Sequence, residues 1–207
     1  MAFGKPGRPR EDRLLRQREI FDAVAPLILE RGARRVTMRD AARTAYLSVG
    51  GLYHYFPTKR DLLLHALTQE ALDRFCFDFL KGSFALKTGD PRAFLDVYAE
   101  FCARTCLFVR PAAQAAVELG TETFWPVLDA SMHNGLDNFL EALQRVAPGL
   151  DDSQMLALAQ SIRRVLLAGL FDRSMTADDI RTGVRTLVET AARVPGSPDI
   201  VVWESVQ

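Results

Sequence analysis

Between Arg39 and Lys59 the chain gathers residues whose types and spacing suit one kind of chemistry. Val49, Gly50 and Gly51 are small and consecutive, and Tyr53, His54, Tyr55 and Lys59 follow as hydrogen-bond donors. A small-residue face lets a helix backbone approach base edges in a major groove about 12 Å wide, while flanking polar groups grip phosphates. Catalytic patterns are missing: there is no HExxH, no phosphate-cradling Gly-rich loop and no GxSxG, and the only histidines are His54, His65 and His133. Cys102 and Cys106 lie one helical turn apart and could ligate a metal or sense oxidants with His133 or Cys76, but buried packing is the commoner fate of cysteine. No catalytic residue, metal ligand or cofactor is assigned.

The elements that must position these residues read as helical throughout. Apolar positions recur at helical spacing, and sustained strand-like alternation is missing. A first helix is expected over about Arg13 to Arg31, ended by Gly32 in a left-handed cap and kinked at Pro26. Thr37, Ser48 and Thr58 then mark three helix starts in quick succession. Thr37 with Asp40 and Thr58 with Asp61 form capping boxes, in which hydroxyl and carboxylate satisfy otherwise unpaired amides. The helices they open span about Met38 to Ala45, Val49 to Tyr55 and Lys59 to Lys81. Two short helices joined by a tight turn, Ala41 to Ser48, have the layout of a helix-turn-helix. Further helices are expected near 91–108, 112–119, 122–146, 152–172 and 177–193, nine in all, with a capping box at Thr176 and Asp179. The tail from Pro195 to Gln207 has no assignment.

Charge and length are consistent with a DNA-binding head on a second domain. The 207 residues carry 26 basic and 26 acidic side chains, yet residues 1–60 hold thirteen Lys and Arg against six Asp and Glu. A basic front on an acidic remainder is the electrostatic footprint of a nucleic-acid-binding head. A hydrophobic content of 48% and 25% charged residues exclude a disordered or fibrous chain, and the apolar runs fall short of a membrane span. Without an apolar stretch behind the charged start, and with three cysteines only, a cytoplasmic protein is expected.

The run from Ile20 to Leu64 resembles the DNA-binding head of the tetracycline-repressor (TetR) family. Matching residues include Asp22, Ala23, Leu27, Gly32, Thr37, Ala41, Ala42, Ala45, Ser48, Gly50, Leu52, Tyr53, Phe56, Lys59 and Leu62. The match is gapless and covers about a quarter of the chain. Tyr46 departs from it, standing where the family's turn carries glycine, and so is expected in a left-handed or strained conformation. Pro26 departs too, at an ordinary helix position.

The resemblance implies an all-α, nine-helix protein with a flexible basic arm at 1–12, a helix-turn-helix domain at 13–58, a helical effector-binding and dimerisation domain at 59–194 and a tail at 195–207. It implies a homodimer on a pseudo-palindromic operator in double-stranded DNA, released by a small-molecule effector. By matched position Tyr53 and Lys59 would contact phosphates, Arg39 a phosphate or guanine edge, and Val49, Gly50, Gly51 and Tyr55 the bases, with Ser48 and His54 beside them. Leu52 and Phe56 would pack the head's core. Lys5, Arg8 and Arg10, in a Gly-Arg-Pro context resembling an AT-hook, would lie in an A·T-rich minor groove.

Where the family places its ligand cavity the chain is aromatic-rich, and Phe75, Phe79, Tyr98, Phe101, Cys102, Thr105, Trp125 and His133 are the candidate pocket for a hydrophobic or aromatic effector. Apolar stripes on the last two helices suggest a four-helix dimer seam of Ile162, Leu166, Gly169, Leu170, Val184, Leu187 and Val188, with burial inside one subunit as the competing reading. The competing functions are a TetR-fold DNA-binding protein without an effector, in nucleoid or division control, and a small helical enzyme or metal-binding protein.

Overall fold

The computed structural model describes residues 10–82, 91–120 and 149–192. Among them the regular structure is entirely helical: α1 (Arg10–Arg31), α2 (Met38–Thr44), α3 (Val49–Tyr55), α4 (Lys59–Leu63), α5 (Gln69–Gly82), α6 (Pro91–Glu118), α7 (Asp152–Phe171) and α8 (Ala177–Ala192), with a 3-10 turn at His65–Leu67. The all-α class holds with eight α-helices among the described residues in place of the expected nine. The expected helix at 122–146, the arm at residues 1–9 and the tail at 195–207 lie outside the described residues. No described helix is long and apolar enough to cross a membrane.

Packing divides the described residues into two compact units, one holding 10–77 and 108–120, the other 78–82, 91–107 and 149–192. In the first, Ile20, Phe21, Val24 and Ile28 of α1 meet Leu52 and Phe56, and all are essentially removed from water. Each such side chain contributes roughly 1.5–3 kcal/mol. The unit runs past the head boundary expected at residue 58, because α4 and the 3-10 turn also pack on α1 with Leu62, Leu63 and Ala66 fully buried.

Helix ends follow the expected side-chain chemistry. Thr37 and Thr58 each accept a hydrogen bond from the amide three residues on, while the Asp40 and Asp61 carboxylates accept one from the cap amide. Ser48 Oγ accepts from the Gly51 amide at 3.0 Å. Thr176 and Asp179 make the same reciprocal pair, and Asp151 with Gln154 adds one at the start of α7. Each cap stabilises its helix by about 1 kcal/mol. Gly32 ends α1 at φ +79°, its amide donating to the Ile28 carbonyl at 2.9 Å.

Tyr46 is the one described non-glycine residue with positive φ, at +55°. It occupies the residue after the cap of α2, with its amide donating to Arg43 at 3.2 Å and the Leu47 amide to Ala42 at 2.8 Å. This is the paired hydrogen-bond pattern of a Schellman ending, in which glycine is favoured; a side chain there costs about 1 kcal/mol.

Two helix boundaries differ from expectation. The run 59–81 is not one helix, because Thr68 turns extended (φ −75°, ψ 143°) and its hydroxyl donates to the His65 carbonyl and accepts from the Ala71 amide, closing one element and opening the next. The runs 91–108 and 112–119 are a single helix that continues through Pro111. The missing amide and ring clash cost about 3 kcal/mol, which the burial of Val109, Ala112, Ala113, Ala115 and Ala116 around it offsets. Pro26 likewise lies inside an unbroken α1.

Candidate nucleic-acid interface

α3 is anchored by its inward side and bare on its outward side. Leu52 is fully buried and Phe56 follows at 1% exposure. Opposite them Val49 is 39% and Tyr53 47% exposed, and Gly50 and His54 are exposed too. A Cβ built on Gly50 would meet no atom within 4 Å, whereas one on Gly51 would lie 3.1 Å from Ser48 Oγ. Gly50 is therefore small for no reason internal to the fold.

The far end of α3 is held from behind by α1. Arg13 Nη2 donates to the His54 carbonyl at 3.2 Å and Gln17 Nε2 to the Tyr55 carbonyl at 2.8 Å. Helices leave their last carbonyls without intrahelical partners, so two side chains one turn apart on α1 satisfy them and fix the tilt of α3. Sequence reasoning did not single out Arg13 and Gln17, since only their four-residue spacing on a polar face marks them. The His54 ring meets the half-buried Tyr55 edge-on, with centroids 5.2 Å apart.

Arg39 is exposed in the first turn of α2. Beside it the Thr37 hydroxyl holds the Asp40 carboxyl below its ordinary range, and Asp40 also takes Arg43 at 3.0 Å. Lys59 is half-buried, and its Nζ donates to the Arg34 carbonyl at 3.1 Å. Glu118 grips the same α1–α2 connection, accepting from the Arg34 amide at 3.2 Å. Beneath the interface His65 sits between the rings of Phe21 and Phe56, at 5.8 and 5.4 Å, and burial pulls its pKa down to about 4. Lys5 and Arg8 lie outside the described residues, and Arg10 opens α1.

The described candidate pocket residues are divided between the two units. Phe75 belongs to the first unit, stacked on Phe108 at 4.8 Å with the Arg18 guanidinium 5.3 Å above its ring, so it packs as core. The second unit holds Phe79, Tyr98, Phe101, Cys102 and Thr105. Phe79 meets Phe101 at 5.2 Å, and Thr105 Oγ1 is buried with no hydrogen-bond partner among the described residues. Burial pushes the Tyr98 hydroxyl well above its ordinary value and the Cys102 thiol up to about 12, so Cys102 is no ready thiolate. Cys106 is buried and its thiol donates to the Leu166 carbonyl at 3.6 Å. Trp125 and His133 lie outside the described residues.

The residues expected at a dimer seam differ in their burial within the chain. Ile162, Leu170, Val184 and Val188 are 0–4% exposed in the single chain, and a Cβ on Gly169 would lie 2.8 Å from Ile180 Cδ1. These residues lie where α7 packs on α8, with Gly169 also close to Cys106 of α6. Of the expected set only Leu166 and Leu187 are half-buried.

A short helix with a bare small face, locked at both ends and preceded by a capped companion across a tight turn, defines a helix-turn-helix DNA-binding protein. Residues 20–66 match the family model for bacterial regulatory proteins of the tetR family. The chain is 26% identical over 181 residues, 85% of its length and 76% of the other, to the HTH-type transcriptional repressor KstR2 of Rhodococcus jostii. With the HTH-type transcriptional repressor KstR of the same organism it shares 44% identity over 55 residues, about a quarter of each chain. The fold is similar to that of the TetR family regulator PfmR of Thermus thermophilus, with a TM-score of 0.57 at 21% identity, covering 82% of this chain and 96% of that one. Residues 20–66 thus form a tetR-type helix-turn-helix head, and the chain is a DNA-binding transcriptional regulator similar to these repressors.

Proposed function

We propose that this regulator is a repressor that binds a pseudo-palindromic operator as a homodimer and leaves it when a small hydrophobic or aromatic molecule occupies the second unit. The observation that carries the DNA-binding half is Gly50, whose bare surface on α3 the fold does not need. Val49, Gly50, Gly51 and Tyr55 face bases; Arg39, Ser48, Tyr53, His54 and Lys59 serve phosphates and groove edges; Lys5, Arg8 and Arg10 follow the minor groove. The repressor sense is supported by the names of the relatives. The effector reading is supported by Phe79, Phe101, Tyr98 and the Thr105 hydroxyl, which has no hydrogen-bond partner among the described residues: an apolar lining with a polar group to orient a ligand. For the dimer, α7 carries the exposed Leu156 and Phe171 beside the half-buried Leu166 and Leu167, while α8 adds Leu187.

The test is a titration of the full-length protein against a duplex selected from a random pool, with mass followed by light scattering. A two-fold symmetric site, bound by a dimer and released by an aromatic ligand that also raises the melting temperature, is the expected result. Operator binding that no co-purifying or added hydrophobic molecule weakens would replace this reading with the effector-free one. A monomer that binds an asymmetric site at full affinity would remove the paired-head mechanism.

A further inference from the structure

Tyr46 combines two properties, only one of which the fold explains: the Schellman ending of α2 sets its left-handed backbone, but nothing in the fold calls for a tyrosine there. It holds a left-handed backbone (φ +55°), and its side chain is 96% exposed, so no packing within the chain compensates for the strain. Strained residues of this kind concentrate where an external partner is met. The placement is specific as well. Tyr46 lies two residues before Ser48, which caps α3, and three before Val49, the first residue of the bare face. Helix-turn-helix proteins present the start of the second helix to base edges, so the turn just ahead of it borders the groove wall, where phosphates run. The turn is fixed by the Arg43 and Ala42 carbonyls, and the Tyr46 side chain lies in solvent.

We propose that Tyr46 is a further DNA-contacting residue, its phenol hydroxyl donating a hydrogen bond to a backbone phosphate at the edge of the groove that α3 enters. It rests on the reading of α3 as the base-facing helix and extends that reading to a position where the family's turn carries glycine. A phenol is neutral, so the contact adds affinity and fixes register without releasing a counterion. It is thereby separable from the contact of a lysine.

The experiment compares full-length wild type with Tyr46→Gly, Tyr46→Asn and Tyr46→Phe. Each is measured by thermal melting and by titration on one 30-base-pair duplex selected from a random pool, over a range of salt. Glycine relieves the left-handed strain, and asparagine tolerates it while lacking the ring. Tyr46→Gly is expected to melt about 2–4 °C higher yet bind about five-fold more weakly, the loss of one modest hydrogen bond. Tyr46→Asn and Tyr46→Phe lose binding similarly, with the slope of log affinity against log salt unchanged in all three. Undiminished affinity in Tyr46→Gly and Tyr46→Phe would overturn the proposal, as would a loss in Tyr46→Gly that Tyr46→Phe does not share, which would assign the effect to the ring or the turn. Gly50→Ala, measured alongside, separates the two readings: weakened binding there with an unaffected Tyr46 series rejects Tyr46 alone, whereas no effect in either series rejects α3 as the base-facing helix.

Discussion

The first unit keeps its unusual residues on the outside; the second uses up its apolar stripes on the inside. Around α3 the chain exposes Val49, Tyr53 and Tyr46 and leaves Gly50 bare, although an alanine would fit there. Along α7 and α8 the residues with the strongest periodicity, Ile162, Ile180, Val184 and Val188, are fully or nearly fully buried within one chain. A surface composed against the fold's own interest points to a partner, whereas a buried stripe reports only that a helix has a core side.

The sharpest break of this contrast is Ile162→Ala. If Ile162 is intrachain core, the protein loses about 2–5 kcal/mol of stability whatever its concentration. A loss that appears only on dilution would return Ile162 to a subunit seam.

Acid should affect the first unit through His65. Its folded pKa is about 4 against 6.5 for the ordinary side chain, so the unfolded chain binds the proton more readily. Stability is complete above pH 6.5 and is lost as pH falls toward 4, by on the order of 3 kcal/mol. The nearby Glu70 carboxylate acts in the opposite direction and is the lesser influence. Urea titrations at pH 7 and 4.5 on wild type and His65→Leu should show a smaller pH effect in the variant. Equal pH effects would mean that other groups carry the acid sensitivity.

Smaller still is Gln17→Ala. The Tyr55 carbonyl loses its donor, and about 1 kcal/mol of stability goes with it, with a several-fold drop in DNA affinity as α3 loosens. Unaltered DNA binding would mean that Arg13 alone sets the tilt. Least of all, Leu156→Ala, at a position 58% exposed, should change monomer stability by less than about 0.5 kcal/mol; its readout is dimer dissociation by sedimentation.

Much of the first unit was legible in the sequence because its determinants are local. The Thr37 and Thr58 boxes, the Ser48 cap, the Gly32 ending and the left-handed Tyr46 each depend on residues within a few positions of one another. The break at Thr68 was hidden because a threonine reads equally as helix interior or as cap, and its hydroxyl chose the cap. Pro111 was read as a stop because its local cost is plain, while the buried alanines that offset it gain their energy only in the tertiary fold. A seam is hard to read from the sequence for a related reason: periodicity shows which side of a helix is covered, not whose atoms cover it. Phe75 and Phe79 illustrate this for the pocket, four residues apart on α5 yet in different units.

The most direct test of the central claim, that the bare face of α3 is shaped for DNA and not for the fold, is Gly50→Ala in the full-length protein. The new methyl meets no atom of the protein, and alanine is the better helix former by up to about 1 kcal/mol. The melting temperature should hold or rise, while affinity for a selected duplex falls at least about ten-fold as the backbone is kept from the base edges. A variant that melts as expected and binds that duplex as tightly as wild type would contradict it.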